Sequence, residues 1–484
     1  ELWGVVARTI SGYTFPVDTI DQAWKKVLLN QFHDIIPGSS IERVYEEAEA
    51  SYAEAIETAD GVTADALAVL TDDTQALTLF NSLPWARTVL AELPEGMAGA
   101  SDPEGHALPM QGANGNTWVE ATVPPCGWTT LQPGLSAETA NTLQVSEHLL
   151  ENEQIRVELN GDGEIVRLYD KEANRELNAG VCNRFMMYKD VPTGWDAWDL
   201  DSMYAETPVE LDAAGCVEVV AAGPLVAKLR VTRTLHNSTM TQEISLRRDS
   251  RRIDFHTVID WQEQHKLLKV SFPVNVHAHE AVHEIQFGHL ARPNHLSRPF
   301  DADRFEVSAH KWTALVEGAR GCAVLNDCKY GVNVLGPSIN LTLLKSPLAP
   351  DMHADLGRQE FAYAFYAWNG PFAESDLVKE AYDLNVPVRA AAGAAGELSL
   401  FWLDADNIVI ETVKPAEDGS ADVVVRMYES ARTATHCTLH TTLPVTAAAQ
   451  TNMIEEHQAD LALEDGQVAL QFRPFEVKTV RLSL

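Results

Sequence analysis

The hydrophobic period of this chain changes once, near residue 72, and that change limits what it can fold into. Before it, apolar residues recur at helical spacing: Ile20, Trp24, Val27 and Leu28 form one stripe, and Ile41, Val44, Tyr45, Ala48, Tyr52, Ala55, Ile56 and Ala59 form a second. After it, short runs of β-formers alternate with polar residues and turn signals to the C-terminus. A chain with this pattern is mainly β with an N-terminal helical hairpin or bundle segment, expected over residues 1–73. Residues 18–34 are expected as a helix that Asp18 or Thr19 caps and Pro37-Gly38 stops. Ser39 and Glu42 offer a capping box for the next helix, which is expected to run to about residue 70, with Gly61 as a point of breakage or kinking.

The β portion divides by its linkers. Residues 74–142 are expected as a small β-sandwich and linker, with strands at 75–81, 87–93, 119–123 and 128–131. The largest block, 143–385, has short strands at turn-punctuated spacing and little helical periodicity, the pattern of a large antiparallel sandwich. Its clearest hairpin turn is Asn160-Gly161-Asp162-Gly163. Residues 386–395 have linker composition, and 386–484 are expected as a C-terminal β-sandwich.

Charge and cysteines bound the function. The chain has 484 residues, 36 basic and 70 acidic, for a net charge of −34. Such a surface repels phosphate backbones and anionic lipid, which argues against nucleic acid and membranes as partners. The six cysteines form no CxxC pair and fit a reducing cytoplasm. No apolar run is long enough to span a bilayer, and no secretory signal is visible. The chain opens on Glu1 followed by Leu2-Trp3-Gly4-Val5-Val6, which reads as mid-protein, so a longer protein is expected.

Chemistry is concentrated in a few stretches. In LLNQFHDIIPGSSIERVY, His33 and Asp34 stand side by side between two helical patterns. An imidazole beside a carboxylate serves as a metal ligand or proton donor, or it stabilises a last helical turn through the helix dipole. In DVPTGWDAWDLD, 190–201, two tryptophans and several acids suit a sugar site, because indoles stack on pyranose faces and carboxylates accept from hydroxyls. The bland alternative is a surface loop. His277 and His279 would share a strand face and, with His283, could mimic a metal site, although strand or turn histidines are the simpler account. His353-Ala354-Asp355 has the His-x-Asp form of a metal pair without a strand-helix unit behind it. No GxGxxG, Walker A loop or GxSxG elbow is present.

These blocks resemble glycoside hydrolase family 38, the class II α-mannosidases, in its cytosolic or bacterial branch. LLNQFHDIIPGSSI, FNSLPW, DAWD, FGHLARPNH, RFEVSAHKW, NDCKYG, ADLGRQEFAY and TVKPAEDGS all resemble family blocks, in order, from about Asp18 onward. The resemblance is to the portion that follows the family's catalytic α/β domain. It implies a galactose-mutarotase-like super-sandwich at 143–385. It implies that His33 is a Zn2+ ligand, that Asp34 faces the sugar, and that Tyr188 and Asp196 bind substrate. The expected whole protein is a zinc-dependent retaining α-mannosidase of the cytoplasm, acting on terminal α-mannosides of oligosaccharides. The resemblance places the nucleophile, the acid/base and most zinc ligands in an N-terminal domain outside this chain, so the chain alone is expected to be inactive with an incomplete zinc site. A homo-oligomer is compatible with it. The family usually has arginine where Lys345 stands and histidine where Gln359 stands, and both departures put a substrate role there in doubt. The competing class is a non-catalytic carbohydrate-binding or structural β-sandwich module. A sugar lyase or mutarotase built on the large sandwich is a second enzymatic alternative.

Overall fold

A computed structural model describes residues 1–72, 74–113, 115–211 and 214–484. Asp73, where the expected helical segment ends, lies outside the described residues. The protein is mainly β with N-terminal helices, as the change of period implies: α1 (Leu2–Ser11), α2 (Val17–Leu29), α3 (Glu42–Ala68), then strands, with one further α-helix among the described residues, α4 (Leu377–Asn385). Two compact units emerge. One comprises 1–25, 53–139 and 386–484, the other 26–52 and 140–385.

In the first unit, Leu77–Asn81 lies between Gly127–Pro133 and Arg389–Ala392, with Glu397–Ser399 on the far side of Gly127–Pro133. Residues 386–395, linker-like in composition, thus supply an edge strand. Alanines carry little β-propensity, and the backbone pairing with Leu77–Phe80 decides their state. Asn81 makes the FNSLPW turn, its Oδ1 accepting from the Leu83 amide at 3.0 Å and its Nδ2 donating to the Trp85 carbonyl at 2.8 Å. Trp3 of α1 packs edge-on against Phe80, ring centroids 5.2 Å apart.

The second unit is built on a nine-stranded and a six-stranded antiparallel sheet. Alternation along Val226–Leu235, Ser238–Arg247 and Arg252–Trp261 sends every second side chain into one core, where Phe255, Phe272, Tyr363 and Phe365 stack. The polar groups buried there satisfy one another: Asn183 donates to Gln242, Gln242 to Tyr363, and Tyr363 back to Asn183, at 2.6–2.8 Å. Helix α4 was not expected in this block. Its Leu377 and Ala381 cover Trp312, Tyr366 and Trp368 on the sheet face opposite that core.

Both helical expectations near residue 33 need correction. Helix α2 stops at Leu29, well before Pro37-Gly38, and tight i→i−3 turns follow, Gln31 to Leu28 and Phe32 to Leu29. Ser39 does not cap α3; its hydroxyl faces the Asp34 carbonyl at 3.5 Å, and α3 begins at Glu42. Helix α3 runs unbroken through Gly61. The stripes are only partly covered: Ile20, Ala48 and Ala55 are buried, whereas Trp24, Leu28, Ile41 and Ile56 are exposed.

Candidate functional site

His33 and Asp34 lie in the turns between α2 and α3. Tyr45, one turn into α3, holds that segment: its hydroxyl accepts from the Ser40 amide at 2.8 Å and donates to the Asp34 carbonyl at 3.2 Å. Burial is the main reason its phenol is harder to ionise than usual. With the backbone pinned, both side chains point outward. His33 is 77 % exposed and Asp34 40 %, with Nε2 to Oδ2 at 3.3 Å, and Phe32 lies against the imidazole at 4.2 Å. Leu28, Leu29, Phe32 and Ile36 around them are exposed as well.

Does this pair suit zinc? One imidazole and one carboxylate supply two donors, where a zinc site takes three or four. Among the described residues, two groups bring three ligand atoms together, Glu42/Asp351/His353 and Asp102/Glu104/His106; His33 is in neither. The chain by itself does not fit a complete zinc site at His33.

The 190–201 loop is anchored where three neighbouring strands end, Arg184–Lys189, Lys266–Pro273 and Ser338–Lys345. Lys345 Nζ reaches Asp190 Oδ2 at 2.6 Å and the Asp196 carbonyl at 2.8 Å. Asp196 Oδ2 accepts from His265 Nε2 at 3.0 Å and from the Leu348 amide at 2.7 Å, and its Oδ1 is buried. Burial opposes ionisation of Asp196, but the Leu348 amide, His265 and Lys345 outweigh it and hold its carboxyl below the usual range. Asp190, 2 % exposed, goes the other way, since burial outweighs Lys345 and raises it. Asp196, expected to contact substrate, therefore has its carboxylate turned inward as a loop anchor. The same network leaves Trp195 and Trp198 exposed, edge to face at 6.0 Å, with Trp195 at φ 58°.

Tyr188 is half-buried in Arg184–Lys189. Its hydroxyl lies 3.3 Å from Met186 Sδ and its ring packs on Tyr204. It lines a cleft of about 660 Å³ together with Arg184, Met186 and Glu210. Among the described residues, no hydrogen bond or ion pair links His33 or Asp34 to Tyr188 or Asp196. His277 and His279 pack edge to face, ring centroids 5.2 Å apart. His277 and His279 lie in a loop rather than on a strand, while His283 is buried against Thr313 and pushed down to about 3 by burial and by Arg292. The anchoring roles of His265 and Lys345 have no local motif in the sequence; their one signal is placement at the ends of adjacent strands. His353-Ala354-Asp355 splits, with Asp355 accepting from the Lys345 amide and His353 facing Glu42.

The architecture defines the class. It matches the crystal structure of an alpha-mannosidase from Enterococcus faecalis with a TM-score of 0.82 at 20 % identity, over 99 % of this chain and 65 % of that one, so the two share a fold. Three family descriptions also match: the Alpha mannosidase middle domain over 1–70, the Glycosyl hydrolases family 38 C-terminal domain over 150–353, and the family 38 C-terminal beta sandwich domain over 407–480. The chain belongs to glycosyl hydrolase family 38 and carries its middle and C-terminal domains. It is 36 % identical to Alpha-mannosidase 2C1 of Homo sapiens over 98 % of its own length and 46 % of that protein's. To Alpha-mannosidase G of Dictyostelium discoideum it is 29 % identical, over 98 % and 48 %. It thus spans about half the length of the curated relatives it matches. Among the described residues, no helix is long and apolar enough to cross a membrane.

Proposed function

We propose that this chain is the C-terminal portion of a zinc-dependent, retaining α-mannosidase that removes terminal α-mannosides from oligosaccharides in the cytoplasm. The observation that carries the proposal is the His33–Asp34 pair, held outward by Tyr45 and ringed by exposed apolar side chains. A polar pair inside an exposed apolar rim is what one edge of a site presents when the rest lies on another surface. In this proposal His33 donates one ligand to the metal and Asp34 accepts from a sugar hydroxyl. Zinc, when bound, supplies Lewis acidity and orients the sugar. Retention needs two carboxylates flanking the scissile bond, roughly 5–5.5 Å apart. Those residues and the remaining ligands belong to the rest of the protein, so the chain alone is inactive.

The test compares the homogeneous 484-residue chain with the whole protein on an aryl α-mannoside. The expected result is no turnover by the chain, and loss of both turnover and bound zinc from the whole protein on His33→Ala. Turnover by the chain alone would overturn the proposal. The exposed Trp195–Trp198 pair favours a second reading, a non-catalytic glycan-binding module. Glycan binding that survives His33→Ala but weakens on Trp198→Ala would select it.

A further inference from the structure

The strand Arg184–Lys189 is paired unevenly on its two sides. One side pairs along its whole length with Lys266–Pro273. The other pairs with Pro208–Val209 only at Met187 and Tyr188, and next to that short pairing lies the cleft of about 660 Å³ that Tyr188 lines. Arg184, Met186 and Tyr188 share one face of the strand, while Phe185 and Met187 enter the core. The cleft has fixed walls. Arg233, 6 % exposed, lies over the Phe185 ring and donates to the Asp162 carbonyl at 3.4 Å. Asn183 Nδ2 donates to the Gly163 carbonyl at 3.2 Å, so the Asn160–Gly163 turn is held from two sides.

A buried ion pair sets the Tyr188 end. Lys269, the cross-strand partner of Met186, is 1 % exposed, and its ammonium reaches Glu306 and Thr342 Oγ1. Glu306 also accepts from the Tyr204 hydroxyl at 2.8 Å, and the Tyr204 ring stands edge-on to Tyr188, centroids 5.1 Å apart. The Tyr188 hydroxyl meets only Met186 Sδ among the described residues, and a thioether is a weak acceptor. Two further groups on the cleft are unused. Arg184 and Glu210 are exposed, and among the described residues neither side chain has an ion-pair or hydrogen-bond partner. A guanidinium, a carboxylate and a phenol are therefore open in one cleft, between the apolar surfaces of Met186, Val209 and Leu211. Both signs of charge are present, so the cleft selects neither an anion nor a cation. Donors and acceptors interspersed on apolar walls match a neutral polyol. From Tyr188 to Arg184 the strand runs for roughly 13 Å, longer than one sugar ring.

We infer that this cleft binds a neutral oligosaccharide, with Arg184, Glu210 and Tyr188 as its hydrogen-bonding groups and no part for His33 or Trp198. The choice of an α-mannoside to probe it rests on the proposed function; the cleft itself does not.

The 484-residue chain would be titrated by calorimetry with α-mannotriose and, separately, with mannose. The expected result is one saturable site for the trisaccharide, bound at least ~10-fold more tightly than the monosaccharide. Arg184→Ala should weaken it roughly 10-fold, and Glu210→Gln and Tyr188→Phe about 3-fold each. Binding by the chain should be unchanged on His33→Ala and on Trp198→Ala. Arg184 and Glu210 are exposed and Tyr188→Phe keeps the ring, so the variants fold, with melting temperatures as the check. Absence of saturable binding would overturn the inference, as would equal affinity for mannose and the trisaccharide. Displacement of the trisaccharide by inorganic phosphate would mark an anion site and overturn it too. So would binding that is lost on Trp198→Ala and keeps its strength on Arg184→Ala. Turnover by the chain, which bears on the proposed function instead, is read separately on the aryl α-mannoside.

Discussion

Two tracts carry most of the chemistry in this chain, and they are held in opposite ways. Around His33 a neutral tyrosine hydroxyl fixes the backbone, and the ionisable side chains are left in water. In the 190–201 loop the ionisable side chains themselves do the fixing. Asp190 and Asp196 turn inward to Lys345, His265 and the Leu348 amide, and indoles are left in water instead. A carboxylate that anchors its own loop is turned away from solvent, whereas one on a segment held by its backbone is left more exposed. By that criterion the Asp34 carboxylate is the one left accessible, and Asp196 is part of the scaffold.

The largest test of this contrast is Lys345→Ala. It strands the buried Asp190 carboxylate, and removing one partner of a buried pair costs about 3–5 kcal/mol. Denaturant unfolding should show it; a change below about 1 kcal/mol would mean that the network is not the anchor. Next is Tyr45→Phe, which leaves the Ser40 amide without its acceptor and should cost about 1–3 kcal/mol.

The acid limb of stability comes third. Asp196 has a depressed folded value, so the stability it contributes is present above the ordinary aspartate range near about 4 and is lost as pH falls through the folded value. The stability gap between the protein and Asp196→Asn should therefore narrow on acidification. Asp190 is raised, so its protonated form is favoured by folding and its own contribution is lost as pH rises through the folded value. The corresponding gap for Asp190→Asn should move the other way. A common trend in both would break the assignment. The smallest effect is expected of His33→Ala, within about 0.5 kcal/mol, because the side chain is mostly in solvent. A larger loss in thermal unfolding would mean that His33 is part of the scaffold.

The legible parts of the fold are those in which local period and burial agree. Val226–Leu235 and Ser238–Arg247 alternate in sequence and in burial, so their strands could be read directly. Helix α4 is not legible in the sequence because it is short and lies among strands, and Arg389–Ala392 is not because its alanines carry no β signal. Within the candidate site, His33 beside Asp34 is a fact of adjacency. The inward turn of Asp196 is not, because its partners lie 69 and 152 residues away.

By itself the sequence determined the change from helix to strand, the turn at Asn160–Gly163, the family blocks and the neighbouring His33 and Asp34. Those rest on period, on turn chemistry and on residues next to one another in the chain. Only the tertiary structure decided which acids face water and which face lysine, that α2 ends at Leu29, and that His353 meets Glu42 rather than Asp355. Each of these depends on contacts between residues distant in the chain, or on a turn stabilised from the next helix, and local pattern does not encode them.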